Sequence, residues 1–155
     1  QHFKEQGLFV GDVEEMVAAD LAGYFMPHGL GHFMGIDVHD VGGYTEGMER
    51  DTIMGYKSLR TKRDLAEGML ITVEPGVYFV DCCIEKVKAD PELNKFVDWA
   101  VVEKYYPIGG CRIECDCYIT KDGCEDITPA PRTCEDIEAV YSGKITSIDQ
   151  IKSFL

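Results

Sequence analysis

Residues 69–80 read Met69-Leu-Ile-Thr-Val-Glu-Pro-Gly-Val-Tyr-Phe-Val80. β-Branched and aromatic residues crowd both sides of a Pro-Gly dipeptide, which predicts a strand, a turn and a second strand. Gly68 supplies the turn that leads in. Downstream, Asp90-Pro91 has the form of an N-cap followed by proline at the first helical position. Leu93, Phe96, Val97, Ala100, Val101 and Tyr105 then recur at helical spacing, predicting a helix over 91–105 that Pro107 and Gly109-Gly110 end. Residues 111–120 predict another strand and Lys121-Asp122-Gly123 a turn. Thr133 with Asp136 three residues later marks the start of a short terminal helix, and 141–155 is weakly patterned. Upstream, Asp12-Val-Glu-Glu opens an apolar-patterned stretch through Met16, Ala19 and Leu21, which Pro27 stops. Glycines at 29, 31, 35, 42, 43 and 47 make 27–47 loop and irregular strand. The class is mixed α+β, one domain or most of one.

With 155 residues, 45% of them hydrophobic, the chain can bury one sizeable core. It holds no run of about 18 apolar residues and no signal-peptide pattern, so neither a membrane span nor a membrane partner is expected. It begins at Gln1 and reads there as mid-protein sequence, as a truncated or processed chain would. A formal charge of -13 repels nucleic acid and anionic lipid, and no basic cluster reverses it. The seven cysteines are 82, 83, 111, 115, 117, 124 and 134. An odd count without a secretory segment favours reduced thiols in a cytosolic setting. A zinc or Fe–S site is the alternative.

Three features carry chemistry. His28, His32 and His39 lie within Pro27-His-Gly-Leu-Gly-His-Phe-Met-Gly-Ile-Asp-Val-His39; Gly29 and Gly31 argue against a helix and for a backbone that passes close to a ligand or metal. Histidine both ligates borderline metals and exchanges protons near neutral pH, although hydrogen-bonded loop histidines read the same way. Glu74 ends an apolar strand, where Pro75 stiffens the turn that aims it; if it points inward it needs a partner. Arg112, Glu114 and Asp116 alternate with Cys111, Ile113, Cys115 and Cys117, placing charge on one strand face and thiols on the other, as small core residues. That face could also be the wet side of a half-buried sheet. His32, Glu74 and Glu114 together offer one nitrogen and two carboxylates, a set suited to Mn, Co, Zn or Fe. Arg60, in Lys57-Ser-Leu-Arg-Thr-Lys-Arg63, could clasp a carboxylate through its planar fork, or be surface charge.

Four blocks in order resemble the pita-bread metallopeptidase family, in its prolidase (Xaa-Pro dipeptidase) branch. They are Pro27 to Gly43, Ser58-Leu-Arg-Thr61, Thr72-Val-Glu-Pro-Gly-Val-Tyr-Phe79 and Gly110-Cys-Arg-Ile-Glu114. The resemblance runs from near residue 1 to about residue 140. It implies a partial creatinase/aminopeptidase-like pita-bread fold, an antiparallel sheet with packed helices. On this resemblance residues 1–155 are the C-terminal portion of the catalytic domain, without the N-terminal domain and two upstream metal-ligand aspartates. Asp12, Asp20 and Asp37 have no context to replace them. It further implies that His32, Glu74 and Glu114 are metal ligands, Glu114 bridging two divalent ions, usually Mn2+. Glu74, His39 and His28 would take part in catalysis, and His39, Arg60 and Arg112 in substrate binding, with Arg112 also ordering the carboxylates. Cys115 stands where many relatives carry a second acidic residue.

The implied reaction is hydrolysis of Xaa-Pro or Xaa-hydroxyproline dipeptides by metal-bound hydroxide, in a cytoplasmic homodimer. The isolated chain is expected to be inactive, since two of the implied metal ligands are absent. The alternatives are an Xaa-Pro aminopeptidase acting on longer peptides and a non-catalytic pita-bread binding module.

Overall fold

A computed structural model of the chain describes residues 1–151. Three short helices lead: α1 (His2–Glu5), α2 (Val13–Ala18) and α3 (Ala22–Phe25). The Asp12 carboxylate caps α2 by accepting from the N–H groups of Glu14 and Glu15. A long stretch without α-helix or strand, through residue 69, follows. Strand β1 (Leu70–Val73) and strand β2 (Gly76–Tyr78) flank Glu74-Pro75. Next come α4 (Asp81–Ala89), α5 (Pro91–Asn94) and α6 (Trp99–Tyr105), then β3 (Gly110–Arg112), β4 (Cys115–Ile119), β5 (Cys124–Asp126) and α7 (Cys134–Tyr141). The last four positions of the expected weakly patterned tail lie outside the described residues. Among the described residues, no helix is long and apolar enough to cross a membrane.

The strand-turn-strand over 69–80 is present, but its halves join different sheets. β1 pairs antiparallel with β4, which pairs with β5; β2 pairs antiparallel with β3. The break falls at one level. Val73 lies opposite Cys115 and Gly76 opposite Arg112, so Glu74-Pro75 faces Ile113-Glu114. Pro75 has no N–H to continue the ladder there, and only its carbonyl is used, by Ile113 N–H at 3.1 Å. The single strand expected over 111–120 is therefore two strands. Cys117 is buried as the alternation predicts, but Cys111 and Ile113 are exposed. They belong to the β2–β3 pair, where they line an open, mainly apolar concavity of about 580 Å³.

Two cores flank this break. The larger packs Leu21, Phe25, Ile84, Val87, Val102 and Phe79 with residues of the first segment. Phe25 is fully buried and meets Phe9 edge-on, with ring centroids 4.9 Å apart. The smaller core is Phe33, Ile71 and Cys117. The helix expected over 91–105 is interrupted at 95–98. There the backbone turns outward to pair with 8–10: Val10 N–H donates to Phe96 O at 2.8 Å and Asp98 N–H to Leu8 O at 2.9 Å. Asp98 then caps α6 through Val101 N–H. Helix α4 went unassigned in the sequence, although Cys83, Ile84 and Val87 are buried at helical spacing.

Burial, then the neighbouring Cys124, pushes the Cys117 thiol up to about 11. At pH 8 Cys117 therefore stays a thiol and reacts slowly, whereas Cys82, Cys111, Cys124 and Cys134 are exposed. Peptide mass spectrometry after brief iodoacetamide treatment at pH 8 should find those four alkylated first and Cys117 last. Early labelling of Cys117 would contradict its placement on the covered face of β4.

Candidate metal centre

The segment Leu30–Met34 runs beside β1 as an irregular edge. Glu74 N–H donates to Leu30 O at 2.7 Å, Thr72 N–H to His32 O at 2.9 Å and Met34 N–H to Leu70 O at 3.2 Å. Gly31 makes that approach possible: a β-carbon there would come within 1.8 Å of Thr72 O. The sequence expectation that this glycine admits a ligand or metal is corrected in that respect. What it admits is the neighbouring strand, and the result is to deliver His32 to the end of β1.

His32 and Glu74 are 5% and 7% exposed, an expensive burial that needs partners. Thr72 supplies two of them. Its hydroxyl accepts from His32 N–H at 3.0 Å and donates to Glu74 Oε1 at 2.8 Å. His32 Nδ1 lies 3.0 Å from Phe33 O. A carbonyl only accepts, so the proton sits on Nδ1 and Nε2 presents its lone pair. That lone pair faces Glu74 Oε1 at 3.1 Å. Two acceptor atoms at this distance are favourable only with a proton or cation between or beside them. Glu114 completes the group: one ligand atom from each of His32, Glu74 and Glu114 lies within 4.8 Å of the others. Opposite ligands of one ion sit about 4–4.4 Å apart at ordinary bond lengths. Donor type, spacing and the Nδ1 hydrogen bond to a backbone carbonyl all fit a divalent cation.

Arg112 spans the two carboxylates, Nη1 lying 3.4 Å from Glu74 Oε2 and Nη2 3.0 Å from Glu114 Oε2. A hydrogen bond to Tyr78, followed by the two glutamates, holds its guanidinium still more firmly protonated. The Tyr78 hydroxyl also lies 3.0 Å from His28 Nε2, while His28 Nδ1 lies 2.7 Å from Gly29 O. His28 therefore donates through Nδ1 and accepts from Tyr78 through Nε2, which leaves the phenol oxygen to accept from Arg112. The sequence pointed to His28 and Arg112 but not to Tyr78, which connects them; an aromatic residue in an apolar strand carries no separate signal.

The His39 ring meets the His32 ring edge-on at 4.3 Å. Lost hydration, then the positive charge of Arg60 and the neighbouring His32, lower its pKa from the usual histidine value, although by area the residue is exposed. Arg60 is exposed, at the rim rather than among the buried ligands. Beyond Glu114, β4 is braced from the far side: Asp116 N–H donates to Thr128 Oγ1 at 2.6 Å, Thr128 N–H to Asp126 at 2.9 Å, and Asp126 pairs with Arg132 at 2.5 Å. Arg132 also acts electrostatically on Cys115.

A buried histidine nitrogen thus converges with two carboxylates in a group that could hold a metal ion. Residues 2–121 match the profile of metallopeptidase family M24, and the chain belongs to that family. It is 49% identical over 143 residues to the Xaa-Pro dipeptidase of Homo sapiens, which covers 92% of this chain and 29% of that protein. It is 43% identical over 137 residues to a probable Xaa-Pro aminopeptidase of Talaromyces marneffei, covering 88% and 29%. The aminopeptidase PepP of Pseudomonas aeruginosa shares the fold with a TM-score of 0.61 at 33% identity, over 91% of this chain and 26% of that one. Zinc-substituted aminopeptidase P of E. coli in complex with product gives 0.59 at 31%, over 94% and 26%. The chain thus spans less than a third of the length of these relatives, and the fold is a partial pita-bread fold.

Replacing Thr72 by valine keeps the shape but strands His32 N–H and removes a donor from Glu74. The loss should be about 1–3 kcal/mol of folding stability, measured by urea denaturation. Thr72→Ser should retain more of it. Equal stability of the valine variant and wild type would remove the hydroxyl from this account.

Proposed function

We propose that this chain is the C-terminal portion of an Xaa-Pro dipeptidase, a cytoplasmic homodimeric enzyme in its full-length form. Support comes from the convergence of His32 Nε2, Glu74 and Glu114 beneath Arg112, together with the higher identity to the human dipeptidase than to the fungal aminopeptidase. Seven free cysteines fit a reducing compartment.

His32, Glu74 and Glu114 would hold divalent ions, two Mn2+ in the full enzyme, with two aspartates from an upstream segment completing the set. Such ions activate water and polarise the scissile carbonyl. Glu74, fixed by Thr72, would take a proton from the attacking water and return it to the leaving imino nitrogen. His39, next to His32, would donate a hydrogen bond to the substrate oxygen as negative charge develops there. Arg112 keeps two adjacent carboxylates from repelling each other, and the His28–Tyr78 pair fixes its orientation. At the rim, Arg60 is the group for the substrate's C-terminal carboxylate, which it can grip with two parallel hydrogen bonds. With two of the ligands elsewhere, residues 1–155 alone are expected to be inactive.

The second reading is an Xaa-Pro aminopeptidase, favoured by the likeness to aminopeptidase structures. Arg60 separates the two. In the full-length enzyme with Mn2+, Arg60→Glu should reduce kcat/KM for Gly-Pro by at least about 10–100-fold, the range of one charged hydrogen-bonding contact, and affect Gly-Pro-Ala far less. Equal losses on both peptides, or a wild-type enzyme that cleaves only the tripeptide, would favour the aminopeptidase. Robust Gly-Pro turnover by residues 1–155 alone would contradict the incomplete-site reading.

A further inference from the structure

The loop that carries Arg60 is held on both sides of that residue. The Leu59 carbonyl accepts two side-chain hydrogen bonds, from the Tyr44 hydroxyl at 3.0 Å and from Arg50 Nη1 at 2.6 Å. The Arg50 guanidinium also lies over the Tyr44 ring, 4.8 Å from its centroid, so each donor steadies the other. On the opposite side, the carbonyl of Arg60 itself packs so tightly on Gly43 that a β-carbon there would come within 1.8 Å of it. Lys62 N–H donates to Gly43 O at 2.7 Å. Residues 59–62 are thereby fastened to residues 43–50 at positions that bracket Arg60, in a stretch with no sheet or α-helix to hold it. None of the catalytic roles above uses Tyr44 or Arg50.

We propose that Tyr44 and Arg50 are positioning residues that set substrate length, by fixing the Arg60 backbone so that its guanidinium is held ready for a dipeptide's C-terminal carboxylate. The inference rests on the role given to Arg60 above. An arginine on an unfastened loop would have to be ordered at each binding event, and that entropy would be subtracted from the affinity. With the backbone held beforehand, only the side chain remains to be ordered. A longer peptide brings an amide instead of a carboxylate to this point and gains nothing from the arrangement. The clamp therefore contributes to selection of dipeptides over longer peptides and leaves the bond-breaking step alone.

The test is steady-state kinetics of the full-length Mn2+ enzyme on Gly-Pro and Gly-Pro-Ala, with Arg50→Gln, Tyr44→Phe, Arg50→Lys, Arg60→Gln and the Arg50→Gln/Arg60→Gln double variant. Arg50→Gln should raise the Gly-Pro KM about 10-fold, with kcat and the Gly-Pro-Ala KM moving much less. Tyr44→Phe should do the same to a smaller degree, and Arg50→Lys, which keeps a donor for Leu59 O, should recover part of the loss. Adding Arg50→Gln to Arg60→Gln should cost nothing further. If Arg60→Gln raises the Gly-Pro KM but Arg50→Gln and Tyr44→Phe do not, the clamp is refuted and the Arg60 assignment stands. If Arg60→Gln leaves the Gly-Pro KM unchanged, the assignment and the clamp fall together. A loss equal on both peptides, or additive in the double variant, would make Arg50 a general structural residue and overturn the proposal. Circular dichroism melts identify any variant that has lost its fold, in which case Tyr44→Phe, a single-atom change, decides.

Discussion

Two carboxylates face each other where one antiparallel ladder breaks. Glu74 and Glu114 occupy the gap between the β1–β4 and β2–β3 pairings, at positions that the surrounding register sets opposite one another. Like charges directly opposite on paired strands destabilise a sheet, and Glu74 is buried as well. Nothing about strand formation favours this arrangement. It persists because cationic or proton-sharing groups flank it: Arg112 across both acids and the Thr72 hydroxyl on one. One ligand atom from each of His32, Glu74 and Glu114 lies within 4.8 Å of the others.

Much of the surrounding structure can be understood as satisfying that constraint. Pro75 ends the ladder so that the two acids are not pulled into regular pairing. Gly31 lets the His32 backbone lie against Thr72. The His28–Tyr78 contact locks the far side of Arg112. The larger core supplies no ligand, but Phe79 continues directly from Tyr78 into it. The position of Tyr78 is thus tied to the packing of α3, α4 and α6. With this much outside support, the orientation of the three side chains is set by groups beyond the cluster itself.

The sequence revealed unequal parts of this. The strands at 70–73 and 76–78 were legible because alternating β-branched residues and Pro-Gly have few other uses. His32, Glu74 and Glu114 were legible as chemistry, since polar ligands ending or interrupting apolar stretches need a reason to be there. The sheet break was not legible. Arg112 to Cys117 alternates perfectly, and only the partner strand, with its proline at the facing position, reveals that the alternation crosses from one sheet to another. Cys111 and Ile113 were consequently placed inside when they are exposed. The interruption at 95–98 escaped for a similar reason: helical periodicity persists through Phe96 and Val97, and the competing pairing comes from residues 8–10, ninety positions away. Tyr78 and the Leu59 clamp depend on contacts between distant segments that no local spacing encodes.

The central claim is that His32 Nε2, Glu74 and Glu114 are joint ligands of one divalent cation, even in a chain that carries only part of the family's centre. Anomalous scattering from a crystal of residues 1–155 soaked in Mn2+, recorded near the manganese edge, tests it most directly. The account predicts an anomalous peak within bonding distance of all three side chains, lost in Glu74→Gln. A crystal that shows no peak there, or that concentrates the metal at Cys115, Cys117 and Cys124 instead, would contradict it.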